Sequence, residues 1–414
     1  MMKKYWLYLE PYTFLFERNG HIVIFNSLSN QGKKFKNNGR IEAVVNQMND
    51  INNMYCVDIT EADLKDSDLL DFINYIRNTY SGDLIDNSSF AKKPVVFVPK
   101  FKINKTIEQL QETDYKLTSD DVLSYFNELS IYIGGSKPTS MLSDIPVYKQ
   151  FDYNCDLESQ QLPIQAVLSF ISQIEHAPLG IVNILGGNIF TYPELHDFAE
   201  GIKHIHAIKI FNTCYNDIPD NLTPYEFLSG EKVKLKVLVD FPLNSKKFDH
   251  VVSLIKSSKI EVEWLFAITS MDEYESAERL IDENILDKAL IKPVFTGSNL
   301  QLFKSNVYLD EEDILNTRLS RDDIFVKQVL NTYDFGKLIL MANGKVYANA
   351  NHQPIGILDE PIVELLLKEM SNNNSWRRIR NQEPCNQCIF QWLCPSPSNY
   401  ELAIDKANLC SVLS

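Results

Sequence analysis

The chain has 414 residues, of which 44% are hydrophobic and 23% charged, with a formal net charge of −15. That is the composition of a folded protein long enough for two or three cores, and its negative balance excludes a general nucleic-acid binder, which needs a concentrated positive field. No stretch approaches the roughly eighteen uninterrupted apolar residues of a membrane span. The basic start is broken by Glu10 and Pro11 without a small-residue cleavage site, so neither a signal peptide nor a membrane partner is expected. The expected compartment is a reducing cytoplasm, where clustered cysteines more often bind metal than form disulfides.

Residues 1–92 read as a small α+β domain. YTFLFE and HIVIFNS flank Arg18-Asn19-Gly20, a strong hairpin signal, and a short third strand is expected at Lys33–Asn37. Ile41, Val44, Val45 and Met48 follow at helical spacing. Thr60 suits the cap of a short helix, ITEADL. Ser67 suits the cap of another, with Leu69, Leu70, Ile73, Ile76 and Tyr80 as its buried stripe. Charge is segregated here, net +5 over residues 1–40 and net −8 over 41–86. Two solvated faces explain that pattern, and so does a peptide-binding edge beside a charged groove.

Residues 93–325 alternate between strand and helix. Strand-like runs lie at 95–98, 129–133, 180–185, 206–211, 234–241, 261–268 and 289–295, with helical patterns at 163–174, 246–258 and 271–285. Strands separated by helices of this length imply a parallel sheet, and this many units suit a partial or full (β/α) barrel. Gly186-Gly187 reads as a permissive turn, and His204 and His206 as the exposed flanks of Ile205. No Walker loop, dinucleotide fingerprint or serine elbow is present.

Residues 326–414 open with a hairpin around Asn343-Gly344, continue with a helix at 360–370, and end in a cysteine-rich tail. Four of the seven cysteines lie there, spaced C-x2-C-x5-C-x15-C: Cys385, Cys388, Cys394 and Cys410. Two thiolates three positions apart grip a metal from one turn, and two later ones complete an S4 shell. Zinc and a 4Fe-4S cluster both satisfy that set, and a disulfide pair is the bland alternative. Cys56, Cys155 and Cys214 stand alone, as buried small hydrophobes do.

These residues resemble a known family. The tail is similar to the SPASM domain of radical S-adenosylmethionine peptide maturases, whose pattern implies two auxiliary clusters. One ligand set matches Cys385, Cys388, Cys394 and Cys410. The other would fall near Tyr333, at Asn349 and at Ser398, and none of these is a cysteine. LSIYI resembles the first strand of a radical SAM barrel, after which the family places C-x3-C-x2-C. This chain reads GGSKPTSMLSDIPVYKQFDYNC there, with only Cys155. VNILGGNIFTYPEL resembles the segment whose acid meets the amino group of S-adenosylmethionine, and Asn188 stands at that acid's place.

Residues 1–92 resemble the winged-helix peptide-recognition element of ribosomal peptide biosynthesis. That resemblance implies a leader peptide added as a strand, with Lys34, Phe35 and Lys36 on the edge and Leu70, Ile73 and Asn74 on the helix. FGKL, NGKVYANAN and CIFQWLCPSPSNYELA match pseudo-radical-SAM proteins found beside maturases in Bacteroidales. The resemblance thus implies a winged-helix-like domain (1–92), a degenerate radical-SAM-like barrel (93–325) and a SPASM-like domain (326–414). It implies a pseudoenzyme that cleaves no S-adenosylmethionine, binds precursor peptide and pairs with an active radical SAM maturase as a heterodimer. Its one retained 4Fe-4S or zinc site would be structural, or alternatively would pass electrons to the maturase. On this reading, Cys388→Ser loosens the C-terminal cap, visible as faster proteolysis there, while leader binding by residues 1–92 survives.

Overall fold

The computed structural model describes residues 3–37, 39–88, 92–94, 122–156, 160–174, 177–372 and 374–412. The strand expected at 95–98 lies outside the described residues. Among them, no helix is long and apolar enough to cross a membrane.

The N-terminal region holds two three-stranded antiparallel sheets. In one, β1 (Lys4–Leu9) lies between β5 (Cys56–Thr60) and β6 (Gly82–Asp86); in the other, β2 (Thr13–Arg18), β3 (His21–Asn26) and β4 (Gln31–Lys36) form a meander with β4 at its edge. The β2–β3 turn is the expected Asn19-Gly20, with φ of 50° and 70°, and a two-residue hairpin of this type requires both positive values. Helix α1 (Gly39–Asn49) buries the four expected apolar residues. Helix α2 (Ser67–Asn78) buries Leu69, Phe72, Ile73 and Ile76, and Asp66, not Ser67, caps it by accepting from the Leu69 N–H. Leu70 and Tyr80 are exposed. The true stripe keeps the i, i+3, i+4, i+7 spacing, and Tyr80 lies past the helix end. The helix expected at ITEADL is instead the end of β5 and a single 3-10 turn. Cys56–Thr60 pairs residue by residue with β1, and Asp63 fixes the turn by accepting from the Thr60 N–H and hydroxyl at 2.8 Å.

The expected alternation is present from β7 onward. β7 (Glu128–Gly134), β8 (Ile181–Gly186), β9 (Ile208–Cys214), β10 (Val233–Val239), β11 (Val262–Ile268) and β12 (Ala289–Pro293) are parallel neighbours in chain order. Helices at Ile164–Ser172, Leu195–Gly201, Ser245–Ser257 and Met271–Asn284 fill the crossovers. One face of each strand packs with these helices: Leu129, Ile131, Val182, Ile184, Leu235, Val237 and Phe266 all belong to the main core. Among the described residues the sheet does not close on itself. β13 (Lys337–Leu340) adds parallel to the free edge of β7, and β14 (Lys345–Tyr347) and β15 (Gly356–Ile357) continue antiparallel, giving nine strands. The sheet therefore takes strands from both sides of residue 326.

Gly186-Gly187 is more than a permissive turn. A Cβ on Gly187 would stand 2.0 Å from the Ser136 carbonyl oxygen. The space is used by backbone pairing, with Gly187 N–H donating to Gly134 O at 3.1 Å and Asn188 N–H to Ser136 O at 2.7 Å. Gly187→Ala is expected to destabilise by about 2–4 kcal/mol, since the intruding methyl must displace backbone. A urea midpoint unchanged from wild type would contradict this.

Candidate metal centre

The cysteine loop is built from tight turns. Cys385–Gln387 is one 3-10 turn, closed by Cys388 N–H donating to Cys385 O at 3.0 Å. Cys394 returns through a bond from its N–H to Phe390 O, also 3.0 Å. Cys410 arrives from the chain end, held by a bridge to Leu309: Leu309 N–H meets Leu409 O and Ser411 N–H meets Leu309 O, each at 3.0 Å. All four thiols line one cavity of about 20 Å³, together with Arg380, Gln391, Leu309 and Ile314.

Burial raises the thiols of Cys385 and Cys388 above their usual range and pushes Cys394 up to about 12, with Arg380 opposing it in the first and last. Deprotonation therefore needs a compensating charge, which a bound metal supplies by displacing the protons. Two cations already stand against the thiols. Arg380 reaches Cys385 Sγ at 3.6 Å and pairs with Glu401 at 2.8 Å. Lys327 donates to Leu393 O at 3.1 Å and is pushed down to about 8 by burial. The run Trp376-Arg377-Arg378-Ile379-Arg380 just before the first cysteine is the sequence signal that would have revealed the arginine.

Four thiols on one cavity beside two buried cations fit a group that binds as an anionic tetrathiolate. Among the described residues no three His, Cys, Asp or Glu side chains form a group that could hold a single metal ion. Around one zinc the sulfurs would stand about 3.8 Å apart, from the tetrahedral Zn–S length. A cubane spreads its thiolates over four irons and holds them further apart.

The positions where the resemblance expects a second ligand set also neighbour one another. Asn349 Nδ2 donates to Asp334 Oδ2 at 3.0 Å and to Asn399 Oδ1 at 2.7 Å, so it bridges the neighbours of Tyr333 and Ser398. Arg378 joins Asp334 at 3.3 Å and Ser398 O at 3.3 Å. Ser398 caps the helix Asn399–Ile404 in a capping box with Glu401. A hydrogen-bonded network occupies this place.

The N-terminal meander docks onto the cysteine loop. Phe14, Val23 and Phe25 share a core with Ile314, Leu319, Ile324, Cys388, Phe390 and Leu393. Arg18 donates to Asn386 O and, at 3.3 Å, to Gln391 Oε1, and Asn19 donates to Gln387 O at 3.2 Å. The helices Glu311–Asn316 and Arg321–Val326, each opened by a capping box, complete this core.

The six residues expected to meet a peptide divide. Phe35 packs edge-on against Phe72 and Tyr75 of α2, with ring centroids 5.2 and 5.5 Å apart. Leu70 is 38% exposed, and Asn74 and Lys36 are exposed. The edge strand and α2 thus share a flank. Ile73 is 1% exposed and belongs to the core. Lys34 is turned to the other side, 2.7 Å from Glu311 and 5.6 Å from the Phe390 ring centroid.

The loop after β7 fills the face of the sheet opposite the helices. Leu142, Val147 and Tyr153 pack there with Cys214, Leu238, Leu265 and Ala267. Asp217 accepts from the Thr139 N–H at 3.1 Å, and Asp240 accepts from the Ser140 hydroxyl and Met141 N–H at 2.6 Å. Cys155 is buried beside Tyr132, Leu185 and Ala342, and burial pushes its thiol up to about 12. Asn188 turns its side chain onto its own backbone, accepting from the Phe190 N–H at 3.1 Å.

No family model and no curated protein matches the sequence. Two similar solved structures are of Streptococcus suis SuiB. The one bound to precursor peptide SuiA has a TM-score of 0.50 at 11% identity and covers 98% of each chain. The one bound to S-adenosylmethionine has a TM-score of 0.48 at 12% identity and covers 97% of each. The chain therefore shares, over nearly its whole length, a mixed α/β fold with a large parallel sheet like that of SuiB.

Proposed function

We propose that this protein is a non-catalytic partner in the maturation of ribosomally synthesised peptides, binding precursor peptide and pairing with an active radical SAM maturase. One observation carries this reading: the loop that in the resembling family holds three cluster cysteines here packs onto the face of the sheet opposite the helices, tied to Asp217 and Asp240. Its single thiol, Cys155, is buried among apolar side chains, and one thiolate cannot hold a cubane that also binds S-adenosylmethionine. The fold shared with a protein solved with its precursor peptide bound supports the peptide-binding half. The flank formed by β4 and α2 is the surface for it, with Phe35, Leu70 and Asn74 as contacts.

Cys385, Cys388, Cys394 and Cys410 would hold one 4Fe-4S cluster, zinc being the alternative. When bound, the group supplies a cross-link with no open coordination position, which is the character of a structural site. Arg380 and Lys327 neutralise its charge, and the Leu309 bridge brings the last thiol to the other three.

Anaerobic reconstitution with iron, sulfide, S-adenosylmethionine and dithionite is the decisive experiment. The expected result is a loaded tail site and no 5′-deoxyadenosine. Catalytic production of 5′-deoxyadenosine by the isolated chain would sink the proposal. Phe35→Ala is expected to weaken binding of a fluorescent leader peptide about tenfold, the effect of losing one well-packed aromatic contact. Unchanged anisotropy titrations would move the peptide to another surface.

A further inference from the structure

A second cavity lies at the N-terminal ends of β9 and β10, the ends away from Asp217 and Asp240. It has a volume of about 660 Å³, within the roughly 300–1,000 Å³ typical of small-molecule sites. The helix Leu195–Gly201 forms one wall with His196, Ala199 and Glu200, and the 3-10 segment Thr223–Ser229 forms the other with Glu226 and Phe227. The floor is the entry to β9 and β10, with Ile205, Lys209, Phe211 and Val233. His204 and His206, whose spacing in sequence suggested only an exposed face, both stand at its rim.

Two features define what the cavity would take. The first is an aromatic wall. The Phe227 ring lies 5.2 Å from Phe211 and 6.3 Å from His196 between centroids, and all three residues line the cavity, as suits an aromatic guest. The second is a buried cation. Lys209 is 4% exposed, and its ammonium donates to the carbonyls of Ile205 and, at 3.4 Å, Lys203. An ammonium has three N–H donors, so one remains for the cavity. Among the described residues no carboxylate lies within ion-pair distance of Lys209 or of Lys232, whose Nζ is bound to His206 O at 3.1 Å. Lys203, by contrast, is paired with Glu200 at 3.3 Å. Burial lowers the Lys209 ammonium below its usual range and Lys232 adds to the effect, while Glu231, which also lines the cavity, opposes it without reaching ion-pair distance. Holding an ammonium out of water without an anion is costly, and an anionic guest relieves it.

We infer that this cavity is a binding site for a small planar organic anion, its ring against Phe211, Phe227 and His196 and its phosphate or carboxylate on Lys209 and Lys232. The site is independent of the loop after β7 and of the cysteine loop, so the inference stands apart from the partner role proposed above.

Three of the seven histidines of the chain line the cavity, which makes the test direct. Full-length protein labelled with 13C at histidine Cε1 is titrated with phenyl phosphate, benzoate and the neutral control phenol, after assigning signals with His196→Gln, His204→Gln and His206→Gln. Phenyl phosphate or benzoate is expected to move those three signals, with a dissociation constant of about 0.1–1 mM for a ligand of this size. Phenol is expected to bind at least about tenfold more weakly, the loss of one charged hydrogen bond. Lys209→Met should weaken both anions about tenfold. Lys232→Gln, an exposed change that leaves the fold intact, should weaken them about threefold. Equal binding of phenol, shifts confined to other histidines, or unchanged affinity in both lysine variants would overturn the inference. Preference for an acidic tetrapeptide over phenyl phosphate would also overturn it, by assigning the cavity to a protein partner.

Discussion

Arg380→Met is expected to destabilise the C-terminal region by about 3–5 kcal/mol, the usual effect of removing one partner of a buried ion pair. The side chains of Arg380 and Glu401 are 10% and 4% exposed, so neither charge is shared with bulk water. The arginine also donates to the carbonyls of Pro395 and Ser396, closing the turn between Cys394 and the final helix. Glu401 cannot turn away to solvent, because its other oxygen accepts from the Ser398 N–H at 2.6 Å in the capping box. Methionine would fill part of the volume and leave that carboxylate uncompensated. The double variant Arg380→Met/Glu401→Gln should recover a large part of the loss, since it removes the stranded charge. Urea denaturation of the four members of the cycle measures this. Additive single effects would mean that the pair is not coupled and that solvent reaches it.

Cys388→Ser is expected to loosen more than the tail. The Cys388 side chain belongs to the same packed core as Phe14, Val23 and Phe25 of the N-terminal meander, and Arg18 and Asn19 are bonded to the backbone of the same loop. If the four thiols hold a metal as proposed, a loop that loses that cross-link would lose its fit to the meander as well. Structural metal sites contribute folding energy directly, so opening of the tail should become roughly a hundredfold more frequent, about 3 kcal/mol in local stability. Hydrogen exchange by mass spectrometry should report the change both at 385–410 and in β2 and β3. Deprotection of the tail alone, with the meander as protected as in the wild type, would break the link. The sequence-based expectation concerned only the tail and leader binding by residues 1–92; the link between them comes from a core shared by segments 368 residues apart, Arg18 and Asn386.

Much of the architecture is legible because local periodicity reports burial. Each β7–β12 strand carries apolar residues on the helix-facing side, and the helices between them carry the 3.6-residue stripe, so type and order follow from composition. β1, β5 and β6 are harder. KYWLYL, CVDIT and GDLID are short and mixed, and they become strands because β1 pairs with both β5 and β6, partners roughly fifty to eighty residues away. Local propensity is a weak guide where the partner is remote. The same limit applies to Ile73 and Lys34. A helical stripe and an edge strand are readable, but which side chains face a core and which a groove depends on what packs above them.

The sequence by itself determined the cysteine set, its spacing, the alternation of the large sheet, the single thiol in the loop after β7 and the amide at Asn188, because these are properties of residue identity and local period. Only the tertiary structure decided the rest. It put the four thiols on one cavity with Arg380, seated the N-terminal meander on that loop, gathered Asn349, Asp334 and Asn399 into a network, and covered the helix-free face of the large sheet with Leu142, Val147 and Tyr153. Each of these joins segments far apart in the chain, and such contacts form by mutual burial and hydrogen-bond satisfaction, quantities that belong to pairs of residues and are written in neither one alone.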